Sequence, residues 1–479
     1  MWMGIPWLGS IVIALFAWSF ITLLGAVTFG FWAMGVAHIA PRWPAPITVL
    51  SGTALWCGLE TLLSWGPLYW PSLSYTQSPG NLWILHLGQL SGPMAITAAI
   101  VAVNGCWAVT GLGLKQALPL PNGNATDSEI PRCRRPLSKG AFSKLTPFFS
   151  DVSVTERRGG KAPAPHFLVG ITLLIGLHLV GYTLATMGTS DGTGNPLRIG
   201  LIQGNVPTRV KLTPAGTRQA IQGYTQGYRD LVAQGAEAVL TPEGAIPEIW
   251  SRASQSRSPI YQAVQEQGVV LWLGTFRPTP DGAHLTQSLV TLDRNGQVLS
   301  QYNKVKLVPL GEYIPFQPVL GRVISRLSPL EGSLAPGSTQ QLMETPFGPA
   351  IVGICYESPY SELFRRQAAK GGEWIMTASN NDPYPPRMMA QHHAHDVMRA
   401  IESDRWAVRV TNTGLSGVVT PHGETQWLSV PNQYVTHLAT IYRRQTQTLY
   451  VRWGDWLTPG LLLLTALGLI LNPRHLSKS

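Results

Sequence analysis

Charge is scarce in this 479-residue chain, with Asp, Glu, Lys and Arg making up 13% of it. That composition does not describe a water-soluble enzyme well. It fits an integral membrane protein, and the 17 tryptophans suit interfacial aromatic belts. Cysteine is scarce too. Cys57, Cys106, Cys133 and Cys355 stand in no CxxC-type spacing, so the pattern gives neither a disulfide framework nor a zinc site. Internal repeats are lacking, which sets solenoids and propellers aside. No basic n-region precedes the first apolar run, so a cleaved signal peptide is not expected.

Five apolar runs are long enough to consider as spans, given that about 20 residues cross a bilayer. They cover residues 7–37, 47–65, 82–109, 167–187 and 453–471. Pro459 and Gly460 interrupt the last, although Trp453 and Trp456 suit an interface. The formal charge of +10 is concentrated. Residues 131–161 hold eight cations (Arg132, Arg134, Arg135, Lys139, Lys144, Arg157, Arg158, Lys161) against Asp151 and Glu156. Between two apolar runs, this reads as positive-inside bias, and no nucleic-acid partner is expected. With Arg474 to Lys478 also cytoplasmic, alternation places the block between the fourth and fifth spans outside. The expected organisation is a bundle over 1–112, a basic cytoplasmic loop over 113–165, a span over 166–188, an extracytoplasmic globular block over 189–452, and a span with a short tail over 453–479.

The 189–452 block reads as α/β. Strands are expected at 198–206, 236–241, 269–276 and 350–354, at 374–378, and as a closing pair at 407–410 and 417–419. Asp293-Arg294-Asn295-Gly296 between 289–292 and 298–302 is a hairpin signal. Helices are expected at 361–370 and 391–404.

Cys355 lies in Gly353-Ile354-Cys355-Tyr356-Glu357, straight after Ala350-Ile351-Val352. A free Cys is often simply buried. Its place at the end of an apolar run, with Tyr356-Glu357-Ser358-Pro359 following rather than more core, favours chemistry. A thiol attacks only when a base or cation lowers its pKa. Glu243, in Thr241-Pro242-Glu243-Gly244, ends an expected strand and is placed to enter a cleft; a solvated loop acid is the ordinary alternative. Lys304 and Lys306 alternate on an expected strand, so only one can face the Cys. For either, a surface lysine is the ordinary alternative.

Glu243, Tyr302-Asn303-Lys304 and Gly353-Ile354-Cys355-Tyr356-Glu357, in that order, resemble the Glu–Lys–Cys triad of the nitrilase superfamily. The block Lys304-Val305-Lys306-Leu307-Val308-Pro309-Leu310-Gly311-Glu312-Tyr313-Ile314-Pro315 is similar to that of one membrane-embedded branch, the apolipoprotein N-acyltransferases. So is the distal set Asn381-Asp382, Gln391-His392, Arg399 to Glu402, Arg405 and Arg409 to Ser416, with a weaker echo in Trp56, Glu60, Trp70-Pro71 and Tyr75-Thr76-Gln77.

The resemblance implies a four-layer αββα sandwich inserted in a helical transmembrane bundle. It selects Lys304 over Lys306 and implies ping-pong acyl transfer. Glu243 acts as acid and base, Cys355 as nucleophile, and Lys304 with the Tyr356 N–H as oxyanion donors. Glu312 orients Lys304, and Glu357 is the acid beside the nucleophile. The implied partners are a phospholipid acyl donor and a diacylglyceryl-lipoprotein acceptor, at the plasma (inner) membrane of a bacterium. The chain is expected to act as a monomer without cofactor or metal. The branch usually has eight spans; five are visible here, and by position the missing ones are the first three. Leu310 stands for a usual Phe, Leu63 for a usual Arg, and Pro383-Tyr384-Pro385-Pro386 for an aromatic-Gly element.

His392, His393, His395 and Asp396 could suggest a metal, but no third ligand has recognisable spacing. Glu60, His86 and His178 fall within apolar runs, where ionisable groups are costly; helix-packing contacts are the expectation for the two histidines. Two rivals stand beside acyl transfer. One is a membrane-tethered amidase using water, and the other is a non-catalytic lipid- or lipoprotein-binding protein.

Overall fold

The computed structural model describes residues 7–70, 72–117, 164–188, 190–313, 333–382 and 384–472. The basic stretch 131–161 with Cys133, and the tail from Arg474, lie outside the described residues.

Four helices among the described residues are long and apolar enough to cross a membrane. They are α1 (Trp7–Ile39), α2 (Ala45–Trp65), α5 (Pro93–Ala117) and α6 (Ala164–Met187). Two short helices, α3 (Leu82–Leu85) and α4 (Gly88–Ser91), precede α5. The expected span 82–109 is therefore broken, and only its second part is a long helix. Gly92 takes φ +68° and lies so close to Tyr450 that a Cβ there would fall 2.5 Å from the ring. Pro93 then starts α5 at a helical first turn, where its missing N–H costs nothing. The fifth expected span is the 15-residue helix Leu457–Leu471, shorter than a bilayer core requires of an upright helix.

α1 is largely exposed and meets the bundle along one seam, where Trp32 Nε1 donates to Gly52 O at 2.8 Å. Glu60 is buried and accepts from the Leu73 N–H (2.8 Å), Trp56 Nε1 (3.2 Å) and Thr97 Oγ1 (3.1 Å), so it ties α2 to the loop after it. His178 pairs with Asn81 Nδ2 at 3.1 Å, and His86 Nδ1 with Leu82 O at 2.8 Å. The His178 bond joins α6 to the start of α3, a packing contact, whereas the His86 bond stays within its own segment.

The remaining elements build two sheets. In chain order they are β1 (Asn195–Gln203), α7 (Thr208–Lys211), α8 (Pro214–Ala233), β2 (Ala238–Leu240), α9 (Arg252–Gln255), α10 (Pro259–Gln267), β3 (Val270–Pro278), β4 (Leu285–Leu292) and β5 (Val298–Asn303). Then follow β6 (Ile351–Ile354), α11 (Ser361–Ala369), β7 (Ile375–Ser379), α12 (Pro386–Ser403), β8 (Ala407–Thr411), β9 (Gly417–Val419), β10 (Thr425–Leu428), β11 (Val435–Arg443), α13 (Leu449–Trp453) and α14 (Leu457–Leu471).

One sheet has order β11-β1-β2-β3-β4-β5 and the other β10-β9-β8-β7-β6. β1, β2 and β3 are parallel, as are β6, β7 and β8. The closing pair β8–β9 continues into β10, and β11 returns to the first sheet beside β1. Alternation along each strand fills three layers. Between the sheets, Ile199 and Leu201 of β1 pack in one core with Val352, Ile354, Val408 and Val410 of β6 and β8. Ile202, Val239 and Leu271 face Tyr224, Tyr228 and Val264 of α8 and α10. Ile351, Ile375 and Ala407 face Phe364 of α11 and Val397 and Ile401 of α12. The result is the expected αββα sandwich. Its α11/α12 layer also packs on Leu85, Leu87 and Ile96 of the membrane half.

Candidate active site

Glu243, Lys304 and Cys355 each leave a strand at the same end of the sandwich. Glu243 follows β2. Gly274 on β3 makes its position possible, because a Cβ there would fall 1.9 Å from Pro242 O. Lys304 lies just past β5, held by its own N–H on Gln287 O at 2.8 Å. The expectation that Lys304 and Lys306 alternate on a strand is corrected here: β5 ends at Asn303, and the chain bends at Val305 and Lys306 instead of continuing the pleat. Cys355 caps β6 with φ +51°, a left-handed conformation that costs an L-residue energy. Gly353 lets β6 press on α11, since a Cβ would stand 2.4 Å from Phe364 Cζ.

Lys304 Nζ donates to Glu243 Oε1 at 2.8 Å and to Glu312 Oε1 at 2.6 Å. Glu312 Oε2 accepts the Val308 N–H at 2.8 Å, which closes the loop that carries it. Burial works against the Lys304 charge, but Glu243 and Glu312 outweigh it and hold the lysine well above its ordinary pKa. Burial raises Glu312, with Lys304 opposing. Asn380 N–H donates to Glu243 Oε2 at 3.1 Å, and the Cys355 thiol donates to Asn380 O at 3.9 Å. Burial, then the charge of Glu243, push that thiol up to about 12, with Lys304 opposing.

Glu357 points inward rather than toward the cleft. Its carboxylate accepts the N–H groups of Ile354 (2.7 Å), Val305 (2.6 Å) and Lys306 (3.1 Å), and the Tyr302 hydroxyl at 3.3 Å. One buried acid therefore clamps the Cys355 turn to the segment that carries the two lysines. Tyr356 turns its ring outward, stacked on Trp70 at 5.8 Å, and its hydroxyl donates to Pro67 O at 2.7 Å.

The histidine cluster is scaffold. His392 and His395 are buried beside Trp70, at 4.8 and 5.0 Å between ring centres. Asp396 accepts from Ser358 Oγ (3.0 Å), Thr377 Oγ1 (2.7 Å) and Arg409 Nε (2.5 Å). Arg399 donates to Ser358 O (3.0 Å) and pairs with Glu402 at 2.8 Å. These buried pairs brace the turn after Cys355. Among the described residues, no three His, Cys, Asp or Glu side chains gather as a metal cage.

Two residues escaped the sequence reading. Asn380 acts through its backbone, which no side-chain pattern reports. Lys211 is buried near Glu243 and Asp382; burial pushes it down to about 8, with those two acids opposing. In the sequence it is indistinguishable from a surface lysine.

The carbon-nitrogen hydrolase family matches residues 198–442, so the sandwich is a carbon-nitrogen hydrolase domain by class. An apolipoprotein N-acyltransferase of Nostoc sp. is 47% identical over 471 residues, which are 98% of this chain and 84% of the relative. That of Thermosynechococcus vestitus is 46% identical, over 98% of this chain and 81% of the relative. Among solved structures, the NitFhit protein of C. elegans is 18% identical with a TM-score of 0.41, covering 59% of this chain and 66% of that one. The chain belongs to the apolipoprotein N-acyltransferase family.

Proposed function

We propose that this chain moves a fatty acyl group from a phospholipid, through a thioester on Cys355, to the α-amine of the S-diacylglyceryl cysteine that begins a lipoprotein. The observation carrying this reading is the Lys304 ammonium held between Glu243 and Glu312 beside Cys355, at a site docked on the ends of membrane helices.

Glu243 removes the Cys355 proton as sulfur attacks the ester carbonyl. The resting thiol is neutral because burial and the Glu243 charge oppose the thiolate. Moving the proton to Glu243 cancels that repulsion as the thiolate forms. Lys304 Nζ and the Tyr356 N–H take the oxyanion, a task for which fixed donors are each worth about 3–4 kcal/mol. Collapse breaks the C–O bond, Glu243 returns its proton to the leaving lysophospholipid oxygen, and the acyl group stays on sulfur. The acceptor amine then attacks the thioester and gives its proton to Glu243. The C–S bond breaks and the thiolate recovers the proton. No metal or cofactor enters this scheme.

The helix ends support an extracytoplasmic site. Trp65 of α2 meets the domain through Lys306, Leu90 beside α5 holds Trp456 Nε1 at 2.7 Å, and α6 leads into β1. The basic stretch 131–161 joins the opposite ends of α5 and α6, so positive-inside bias puts the domain across the plasma membrane from it.

The test is incubation of the purified full-length enzyme with acyl-labelled phospholipid. A hydroxylamine-sensitive adduct is expected on the wild type and absent from Cys355→Ala. An adduct that persists in the variant, or none in the wild type, overturns the thioester. With a diacylglyceryl-cysteine peptide added, labelled amide is expected; free fatty acid alone would identify a hydrolase.

A further inference from the structure

We propose that the seam between the membrane helices and the sandwich holds a phosphate subsite, built on Lys306 and Arg366, that takes the phosphodiester of the acyl-donor lipid. This deepens the acyl-transfer reading and rests on it for the identity of the lipid.

A cavity of about 380 Å³ lies at the C-terminal end of α2 and the N-terminal end of α5, lined by Ser64, Trp65, Met94, Lys306, Tyr360 and Arg366 among others. Apolar spans end there, which is the depth of lipid head groups. Four charged groups line it, Lys306, Arg366, Glu362 and Asp455, and the oxygens of both acids already accept hydrogen bonds. Asp455 accepts from Ser91 Oγ (3.0 Å), the Thr458 N–H (3.2 Å) and Thr61 Oγ1 (3.4 Å). Glu362 is shared by Arg365 at 2.6 Å and Arg366 at 2.8 Å, so that trio keeps a net positive charge.

The cations have donors to spare. Lys306 Nζ bonds to Trp65 O at 3.4 Å and lies 4.5 Å from the centre of the Tyr360 ring. An ammonium has three donors, and the ring contact consumes none of them. Arg366 uses Nε on Glu362 and has both Nη groups without a partner among the described residues. Unspent donors facing spent acceptors favour an anion, and a phosphodiester suits a guanidinium and an ammonium together.

The subsite is tied to the chemistry. The Glu357 carboxylate holds Lys306 by its N–H at 3.1 Å and the nucleophile strand at Ile354 by 2.7 Å. The backbone from which the Lys306 side chain starts is thereby fixed relative to the turn that carries Cys355, and in a glycerophospholipid one glycerol unit separates phosphate from ester. The acceptor, a diacylglyceryl thioether, has no phosphate. The subsite therefore selects the lipid of the first half-reaction and gives no hold to that of the second, although both enter the same site.

The test compares two ligands of the same acyl chain, a lysophospholipid and a monoacylglycerol, binding to full-length Cys355→Ala protein in detergent micelles and phosphate-free buffer. The preference for the phosphate-bearing ligand should fall about tenfold in Lys306→Gln and in Arg366→Gln, the scale of a lost charge-assisted hydrogen bond. Lys306→Arg should restore it. An unchanged preference overturns the proposal, including the case where both affinities fall together, as they would if these residues only braced the seam. Inorganic phosphate at millimolar concentration should leave monoacylglycerol binding unaltered; tighter binding would assign the cavity to the free ion and overturn the lipid assignment. Because binding needs no thiol, loss of the thioester in the earlier assay and loss of the phosphate preference here are separate failures.

Discussion

Glu243 and Cys355 rest on opposite atoms of one residue's backbone: Asn380 gives its N–H to the acid at 3.1 Å and takes the thiol on its carbonyl at 3.9 Å. The acid and the thiol proposed to trade a proton thus share a fixed backbone reference. Displacing the corner after β7 moves both together, which preserves their mutual geometry better than two independent side-chain supports would.

Removing the acid should make the thiol more reactive and the enzyme less so. After burial, the Glu243 charge is the largest influence raising Cys355, which stands at about 12. In Glu243→Gln that repulsion is gone, so alkylation by iodoacetamide at pH 8 should accelerate, by about tenfold for each unit the thiol falls. Thioester formation from phospholipid should drop by about 10² or more. Slower alkylation in the variant would show that the Glu243 charge is not what holds the thiol up.

Lys304→Met strands two buried carboxylates. Breaking such a cluster from one side costs about 3–5 kcal/mol, because the remaining charges lose their partner. A large fall in thermal midpoint is expected, with acyl-enzyme formation down about 10²–10³ from the lost oxyanion donor. A midpoint like that of the wild type would mean that Lys304 does not offset Glu243 and Glu312.

The left-handed backbone at Cys355 predicts an order among inactive variants. Cys355→Gly should be more stable than Cys355→Ala by about 1 kcal/mol, since only glycine adopts φ +51° without strain. Its greater freedom when unfolded takes back part of the gain. Urea midpoints would read the order, and the alanine variant proving the more stable would rule out strain at the turn.

Burial, opposed by three backbone N–H groups, raises Glu357 from 4.5 to about 7. The folded chain therefore binds this proton more tightly than the unfolded one. Its stabilising effect is full below pH 4.5 and is lost as pH rises to about 7. Glu357→Gln cannot titrate, so the difference in midpoint between wild type and variant should change across that window and level off above it. The amide also cannot accept every N–H that the carboxylate does, so the variant should be less stable by about 1–3 kcal/mol. A constant difference from pH 4 to 8 would remove Glu357 from the titrating groups.

The strands that carry Glu243 and Cys355 were legible because they are buried on both faces and read as apolar runs ending abruptly. β10 and β11 were not. Thr425–Leu428 is mostly exposed, and Val435–Arg443 is mostly half-buried at a sheet edge, so neither shows a clean alternation. The broken span at 82–92 was hidden because its apolar residues serve a different end: Ile84, Leu85 and Leu87 join one core with Val397 and Ile401 of α12, which a lipid-facing run would not do. Within the site, residue types were readable and supports were not. The Asn380 backbone, the inward turn of Glu357 and the burial of Lys211 arise from tertiary packing, which local patterns do not encode.

The layer of α11 and α12 has apolar company on both sides, the sheet beneath it and Leu85, Leu87 and Ile96 above. A sandwich with no water-facing side there cannot simply be excised. Cut free of its helices, the catalytic half would bare a greasy plateau and aggregate, so solubility here belongs to the whole chain and not to the part that does the chemistry.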